Sequence, residues 1–211
     1  MTLKLVIAKP SPFARKVRVA LREKWIEYEE VMDVPWNPDT KAPSLNPLGK
    51  IPILICEDGH TVFDSSVIIE YLETLGQDPQ LIPREPTERV NVRQIEALAD
   101  GVSDAVVLIV LESKRRADLI SQDWLTRQRA KVDAGLKALS DMLKGRTWFV
   151  GDHITVADIA AACALAYVDT RIPDVAWRTK HPGLVAFSNR LESRPSFAAT
   201  RPEPQDIVPL N

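Results

Sequence analysis

The chain has 211 residues, 45% of them hydrophobic and 27% charged, with 27 lysines and arginines against 29 aspartates and glutamates for a formal net charge of −2. This is the profile of an ordinary globular chain with one or two cores, which excludes a disordered, collagen-like or disulfide-stapled protein. It also argues against a nucleic-acid partner, since such binders carry a basic face able to release counterions from phosphate.

The first run, Leu3 to Ala8, is rich in branched residues and is stopped by Lys9-Pro10-Ser11-Pro12, which predicts a strand and a turn. From Phe13 the apolar positions Phe13, Val17, Ala20 and Leu21 recur at helical spacing, while Arg15, Arg18 and Arg22 fall on another face. This predicts an amphipathic helix with Ser11 as N-cap and Pro12 as first residue, where the missing N–H costs nothing. A second strand is predicted over Tyr28 to Asp33, then a Pro- and Asn-rich loop from Pro35 to Gly49. The run Ile51 to Cys56, the turn Glu57-Asp58-Gly59-His60 and Thr61-Val62-Phe63 read as a hairpin. Asp64-Ser65-Ser66 then precedes a helix carrying Ile68, Tyr71, Leu72 and Leu75.

The segment 77–87 contains Pro79, Pro83 and Pro86 and reads as a linker between a first domain, 1–76, and a helical one, 88–211. In the second, Val92, Ile95, Ala99, Val102, Val106 and Ile109 or Val110 form one apolar stripe, and Trp124 to Leu143 forms another long helix. Lys114-Arg115-Arg116 reads as a solvated helix end. Thr155 and Asp158 form a capping box ahead of the apolar helix Ile159 to Val168, a device for folding rather than chemistry. A last helix is predicted from Pro182 to Ser193, and the tail Arg201 to Asn211 is expected on the surface.

Several chemistries find no support in the spacings. The glycines at 49, 59, 76, 101, 135, 145, 151 and 183 fit neither GxGxxG nor GxxxxGK[ST]. His60, His153 and His181 make no HExxH, so a zinc protease has no support and only a spatially assembled site would hold a metal; none is expected, and no GxSxG elbow is present. Cys56 and Cys163 form no CxxC pair, which fits a reducing cytoplasm. The apolar stretches Leu5 to Ala8 and Ile159 to Val168 fall short of the ~20 residues of a membrane helix, so no membrane partner is expected.

Four local sequences stand in order along the chain: Ser11-Pro12-Phe13-Ala14-Arg15-Lys16-Val17-Arg18, Asn46-Pro47-Leu48-Gly49-Lys50-Ile51-Pro52, Asp64-Ser65-Ser66-Val67-Ile68-Ile69-Glu70-Tyr71-Leu72, and the box from Thr155 to Asp158. Together they resemble a bacterial cytosolic-type glutathione S-transferase over roughly residues 1 to 200. The resemblance implies an α/β thioredoxin-like N-terminal domain (βαβ-ββα, a mixed four-stranded sheet), an all-α C-terminal bundle and a homodimer. It also implies glutathione as co-substrate, and detoxification by conjugation to a small electrophile.

In that family the glutathione thiol meets the N-terminus of the first helix, where Ser11 stands. A free thiol titrates near pH ~8.5, and lowering that by two units needs about 2.7 kcal/mol. A hydroxyl bond to the charged sulfur, ~1.5–3 kcal/mol, and a helix N-terminus, ~0.3–1 kcal/mol, suffice together. In local terms Ser11 is equally a simple cap. Relatives with cysteine at this place form mixed disulfides; serine cannot, which moves the expectation toward activation of glutathione for attack. Pro52 matches the family's cis-proline, in which case Ile51 would bind the cysteinyl part through its main chain, or is a trans proline that starts a strand. Lys50 either pairs with the glycyl carboxylate or is solvated. Asp64 and Ser65 match the acidic-Ser pair that holds the γ-glutamyl end, although many relatives have Glu where Asp64 stands, one methylene longer; in local terms both would cap the helix that follows, and the two roles can coincide.

The electrophile site is implied to lie between the two halves against Phe13 and the helix of Val106, Ile109 and Val110, whose apolar stripe equally fits core or subunit contact. Isomerisation, dehalogenation or peroxide reduction with glutathione are the alternatives within chemistry. A non-catalytic interaction scaffold is the alternative outside it.

Overall fold

The computed structural model describes residues 2–204, in two compact units. One runs from the N-terminus through Ile82 and takes in the segment that begins at Arg194; the other runs from Pro83 to Ser193.

The first unit has the element order β1 (Leu3–Ile7), α1 (Pro12–Glu23), β2 (Tyr28–Met32), α2 (Ala42–Leu45), β3 (Ile53–Ile55), β4 (Thr61–Val62) and α3 (Ser65–Thr74). The strands form one mixed sheet in the order β2-β1-β3-β4, with β1 parallel to β2 and antiparallel to β3, and β3 antiparallel to β4. Alternation along β1 sends Val6 to one face, where it packs with Ala42 and Ile53 among Val31, Leu45, Ile51 and Ile55. Leu5 and Ile7 are buried on the opposite face. Helices α1 and α3 pack against one another.

The mixed four-stranded sheet is the one expected, with three local differences. The loop between β2 and β3 contains α2, a single turn with proline near its start that leaves too few apolar positions to show periodicity. The third strand is shorter than the apolar run, because the ladder begins at Ile53 and the hairpin closes where the Cys56 N–H donates to the His60 carbonyl at 2.8 Å.

The third difference lies on α1. Of its three arginines only Arg22 is exposed; Arg15 and Arg18 are 1% and 3% exposed. The chain end covers them, through a short helix α9 (Pro195–Ala198) and its flanks. Arg15 donates to the Phe197 carbonyl at 3.2 Å, and Arg18 donates to the Thr200 carbonyl at 3.3 Å. Arg18 also bonds both oxygens of Glu30, at 2.7 and 3.3 Å. The helical region was expected to run on to residue 211, but the part from Arg194 packs with the first unit. Of the expected surface tail, Arg201, Glu203 and Pro204 are exposed, and residues 205–211 lie outside the described residues.

The second unit contains α4 (Pro86–Ser113), a 3-10 turn (Ala117–Leu119), α5 (Gln122–Leu143), α6 (Val156–Arg171), α7 (Trp177–Lys180) and α8 (Pro182–Glu192). Helix α4 packs along both α5 and α6. The predicted stripe Val92, Ile95, Ala99, Val102, Val106 and Ile109 is buried, and Val110 is half-buried. Gly135 of α5 faces Val102 so closely that a Cβ would collide with the valine side chain. The Asp158 carboxylate accepts from the Thr155 N–H and hydroxyl, both at 2.8 Å, and from the Phe149 N–H at 2.9 Å. The box thus fixes the start of α6, whose residues from Val156 to Leu165 are all buried. Among the described residues no helix is long and apolar enough to cross a membrane, and no group of three or more His, Cys, Asp or Glu could hold a metal.

The C-terminal end of α1 is fixed by Lys24, a buried cation whose ammonium donates to Glu73 Oε1 at 3.0 Å and to the carbonyls of Gln77 and Pro79 at 2.5 and 2.9 Å. Glu73 Oε1 also accepts from the Leu81 N–H at 3.2 Å, so one ion pair closes α1, α3 and the chain that follows. Lys24→Met leaves that carboxylate and two carbonyls without their cation, and is expected to lower stability by about 3–5 kcal/mol, read as a fall in the urea midpoint. A loss below ~1 kcal/mol would mean that hydrophobic contacts alone hold this corner.

Candidate functional site

The strand register decides which loops meet. Val6 pairs with Ile53 and Leu54 with Val62, so the C-terminal end of β1, the N-terminal end of β3 and the C-terminal end of β4 share one edge of the sheet. The loops leaving that edge carry Ser11, Ile51-Pro52 and Asp64-Ser65. Both α1 and α3 begin there, so two helix N-termini face the same region with their unpaired N–H groups.

Ser11 is the N-cap of α1 in extended conformation, with Pro12 at the first helical position. Its carbonyl accepts the Arg15 N–H at 2.9 Å and its Oγ accepts the Ala14 N–H at 3.2 Å. Among the described residues no acceptor takes the hydroxyl hydrogen, which leaves it free to donate outward. The first turn of α1 holds no acidic residue, so no side chain of that turn offsets the positive end of the helix. Phe13, next in the turn, is half-buried.

The approach to β3 is built by Asn46, a buried side chain the sequence reading quoted only within a motif. Its Oδ1 accepts the Leu48 N–H at 3.0 Å, its Nδ2 donates to the Lys50 carbonyl at 2.9 Å, and its own carbonyl accepts the Gly49 N–H at 2.8 Å. Gly49 sits at φ +59°, left-handed backbone that favours glycine. This turn leaves the Lys50 side chain exposed and delivers a cis Ile51–Pro52 peptide. The Ile51 side chain packs on the Val6 cluster while its main chain stays outside the ladder, which begins at Ile53. What Ile51 can offer a ligand is therefore N–H and C=O.

At the third loop, Asp64 is the N-cap of α3. Its Oδ1 accepts the Ser66 hydroxyl at 2.6 Å and the N–H groups of Ser66 and Val67 at 3.0 and 3.5 Å, and all three bonds fall on that one oxygen. Burial works to raise the Asp64 pKa, but the Ser66 and Val67 hydrogen bonds and the charge of Lys16 outweigh it and hold the carboxyl below the ordinary aspartate range. Ser65 is buried at the first helical position, and among the described residues its hydroxyl and N–H have no intramolecular acceptor.

The edge thus gathers Ser11, Phe13, Lys50, Ile51, Pro52, Asp64 and Ser65. It offers a hydroxyl donor at one helix start, main-chain groups at a strand start, and N–H, hydroxyl and carboxylate groups at a second helix start. Such a set suits an extended peptide-like ligand with acidic ends.

The sequence matches the description "Glutathione S-transferase, N-terminal domain" over residues 10–75 and "Glutathione S-transferase, C-terminal domain" over residues 122–190. It is 42% identical over 200 residues to the uncharacterized GST-like protein YibF of Escherichia coli (strain K12), with 95% of this chain and 98% of that protein covered. Among solved structures it is similar to a glutathione S-transferase from Methylobacterium radiotolerans in complex with glutathione sulfonate, at TM-score 0.95 and 44% identity over 99% of this chain and 98% of that one. A second, from Methylobacillus flagellatus with glutathione bound, has TM-score 0.92 and 39% identity over 96% of this chain and 100% of that one. Both halves of one family are matched in order, on the mixed sheet and the helices described above, and the chain belongs to the glutathione S-transferase family.

Proposed function

We propose that this protein is a glutathione transferase in which Ser11 donates its hydroxyl hydrogen to the glutathione sulfur and holds it as thiolate for attack on a small apolar electrophile, forming a thioether. The observation that carries the reading is the state of Ser11. Its oxygen is already turned by the Ala14 N–H while its hydrogen has no acceptor among the described residues, at a helix start without an acidic neighbour. Glutathione bound in similar solved structures supports the choice of co-substrate.

Glutathione then lies along the sheet edge. Ile51, freed from the ladder and held by the cis bond to Pro52, pairs through its main chain with the cysteinyl residue. Ser65 offers hydroxyl and N–H to the γ-glutamyl carboxylate, and Asp64, whose Oδ2 is not engaged by the helix cap, receives the ammonium. Cap and ligand site therefore use different atoms of one carboxylate. Lys50 sits exposed beside Ile51, within the loop that meets the glycyl carboxylate, and Phe13 flanks the thiol. The binding residues all lie within 1–76, inside the first unit. The reading is of a cytoplasmic homodimer; its two free cysteines suit a reducing compartment.

Ser11→Ala is expected to bind glutathione within about threefold of the parent while losing roughly ten- to hundredfold of its thiolate at neutral pH, the worth of one hydrogen bond to a charged sulfur. Ser11→Thr keeps the hydroxyl and should keep most of the signal. Calorimetry with ultraviolet thiolate absorbance reads both quantities, and an undiminished signal in Ser11→Ala would remove Ser11 from the mechanism. Asp64 supplies a pH test. A carboxyl held below its ordinary value stabilises its helix at every pH above the unfolded pKa, and that contribution is lost as pH falls through the depressed value. Carbon-detected NMR titration should therefore place Asp64 below ordinary aspartates, with amide protection at the start of α3 persisting until that lower pH; a normal midpoint would contradict the cap geometry.

A further inference from the structure

Three side chains of α1 reach the chain end from successive turns. Both oxygens of Glu23 are held by Arg194, at 3.0 and 2.7 Å, and Oε1 also accepts the Ser196 hydroxyl. Arg18 donates to the Thr200 carbonyl. Arg15 donates to the Phe197 carbonyl at 3.2 Å with its guanidinium 5.6 Å from the Phe197 ring centroid. Phe197 and Thr200 are fully buried, and Ser196 is 7% exposed. Residues 194–200 are thus a built part of the first unit.

Arg15 has a second attachment. Its main-chain N–H donates to the Ser11 carbonyl at 2.9 Å, closing the helical turn that presents the Ser11 hydroxyl. One residue therefore joins that turn to a segment 182 positions later in the chain. We propose that Arg15 is a positioning residue for Ser11, acting through residues 194–200 as a strap that fixes the first turn of α1 and with it the direction of the Ser11 hydroxyl. The inference rests on the role of Ser11 proposed above.

The physical reason is directional. A hydrogen bond weakens steeply as its angle falls toward ~120°, and helix ends fray where nothing outside the helix holds them. The Ser11 turn has Pro12 in place of one N–H donor, and the Ala14 N–H is the one donor that its side chain caps. A guanidinium that grips a buried carbonyl and stacks on a buried ring supplies the external hold. The cation also adds favourable potential for an anion at the helix start, so a test must separate position from charge.

The measurement is the pKa of the glutathione thiol bound to the full-length protein, by ultraviolet titration, alongside glutathione affinity by calorimetry and the melting temperature. Arg15→Met should raise the bound thiol pKa by about one unit, a tenfold loss of thiolate at neutral pH, with affinity changed less than about threefold. Arg194→Gln and Phe197→Leu leave the Arg15 charge in place and loosen only the strap. They should move the thiol pKa in the same direction by a smaller amount, and Arg15→Lys should fall between parent and Arg15→Met. Should Arg15→Met not fold, the two strap variants decide alone. If they lower the melting temperature and leave the thiol pKa unmoved, the strap is structural only and the proposal is overturned. Failure of the underlying reading is separate, because it appears in the parent protein as a bound thiol with an ordinary pKa or as no binding at all.

Discussion

Helix α1 carries buried cations at Arg15, Lys16 and Arg18, with Lys24 at its C-cap, and the placement of the site depends on how Arg15, Arg18 and Lys24 are held. An uncompensated charge at such positions costs several kcal/mol, so the helix is tolerated only where its partners are in place. Those partners are remote in sequence: Glu30, Glu73, the carbonyls of Gln77 and Pro79, and the chain end at Phe197 and Thr200. Apolar packing can slide by small amounts at small cost, whereas a hydrogen-bonded cation has a narrow range of good geometries. The result is a helix located by ions along its flank and at its C-terminus, with its N-terminus held over the sheet edge. In the role proposed for Ser11, a hydroxyl that must point at a sulfur benefits from that kind of rigid mounting.

The rest of the site is largely backbone. Register places three loops at one edge, and what they present is N–H groups of two helix starts, the main chain of Ile51 and short side chains that double as caps. Asp64 illustrates the economy: one carboxylate oxygen holds the start of α3 and the other stays unengaged by the cap. Asn46 does comparable work for the neighbouring loop, turning it so that Ile51 leaves its side chain in the core and its amide at the edge. Two helix starts point their unpaired N–H groups at this edge, and the first turn of α1 contains no acidic residue. An anionic tripeptide is the natural complement.

Much of this was legible in the chain itself. The order of strands and helices followed from periodicity and from proline and glycine positions, and Ser11, Asp64 and Thr155 could be read as caps because capping is local chemistry. That Arg15 and Arg18 are covered was not legible, for a physical reason. Periodicity tells which residues share a face and is silent on whether water or another segment lies against it. Val19 was the available signal: buried, yet outside the stripe of Val17, Ala20 and Leu21, it implied a helix covered on more than one side. The covering segment could not have been found by spacing, since it lies 182 residues away and contributes mainly carbonyls, which have no sequence signature. Helix α2 was missed because four residues are too few to show a period. The residues gathered at the edge were expected from resemblance to a family rather than from any local rule, because the main-chain role proposed for Ile51 would leave almost no trace in residue type.

The central claim is that this edge binds glutathione and lowers its thiol pKa without a metal or a cysteine nucleophile. Ultraviolet titration of glutathione bound to the parent protein tests it most directly. The account predicts saturable binding and a thiol that ionises at least about one unit below its free value near pH ~8.5. A bound thiol titrating at the free value, or no binding at about millimolar glutathione, would contradict it.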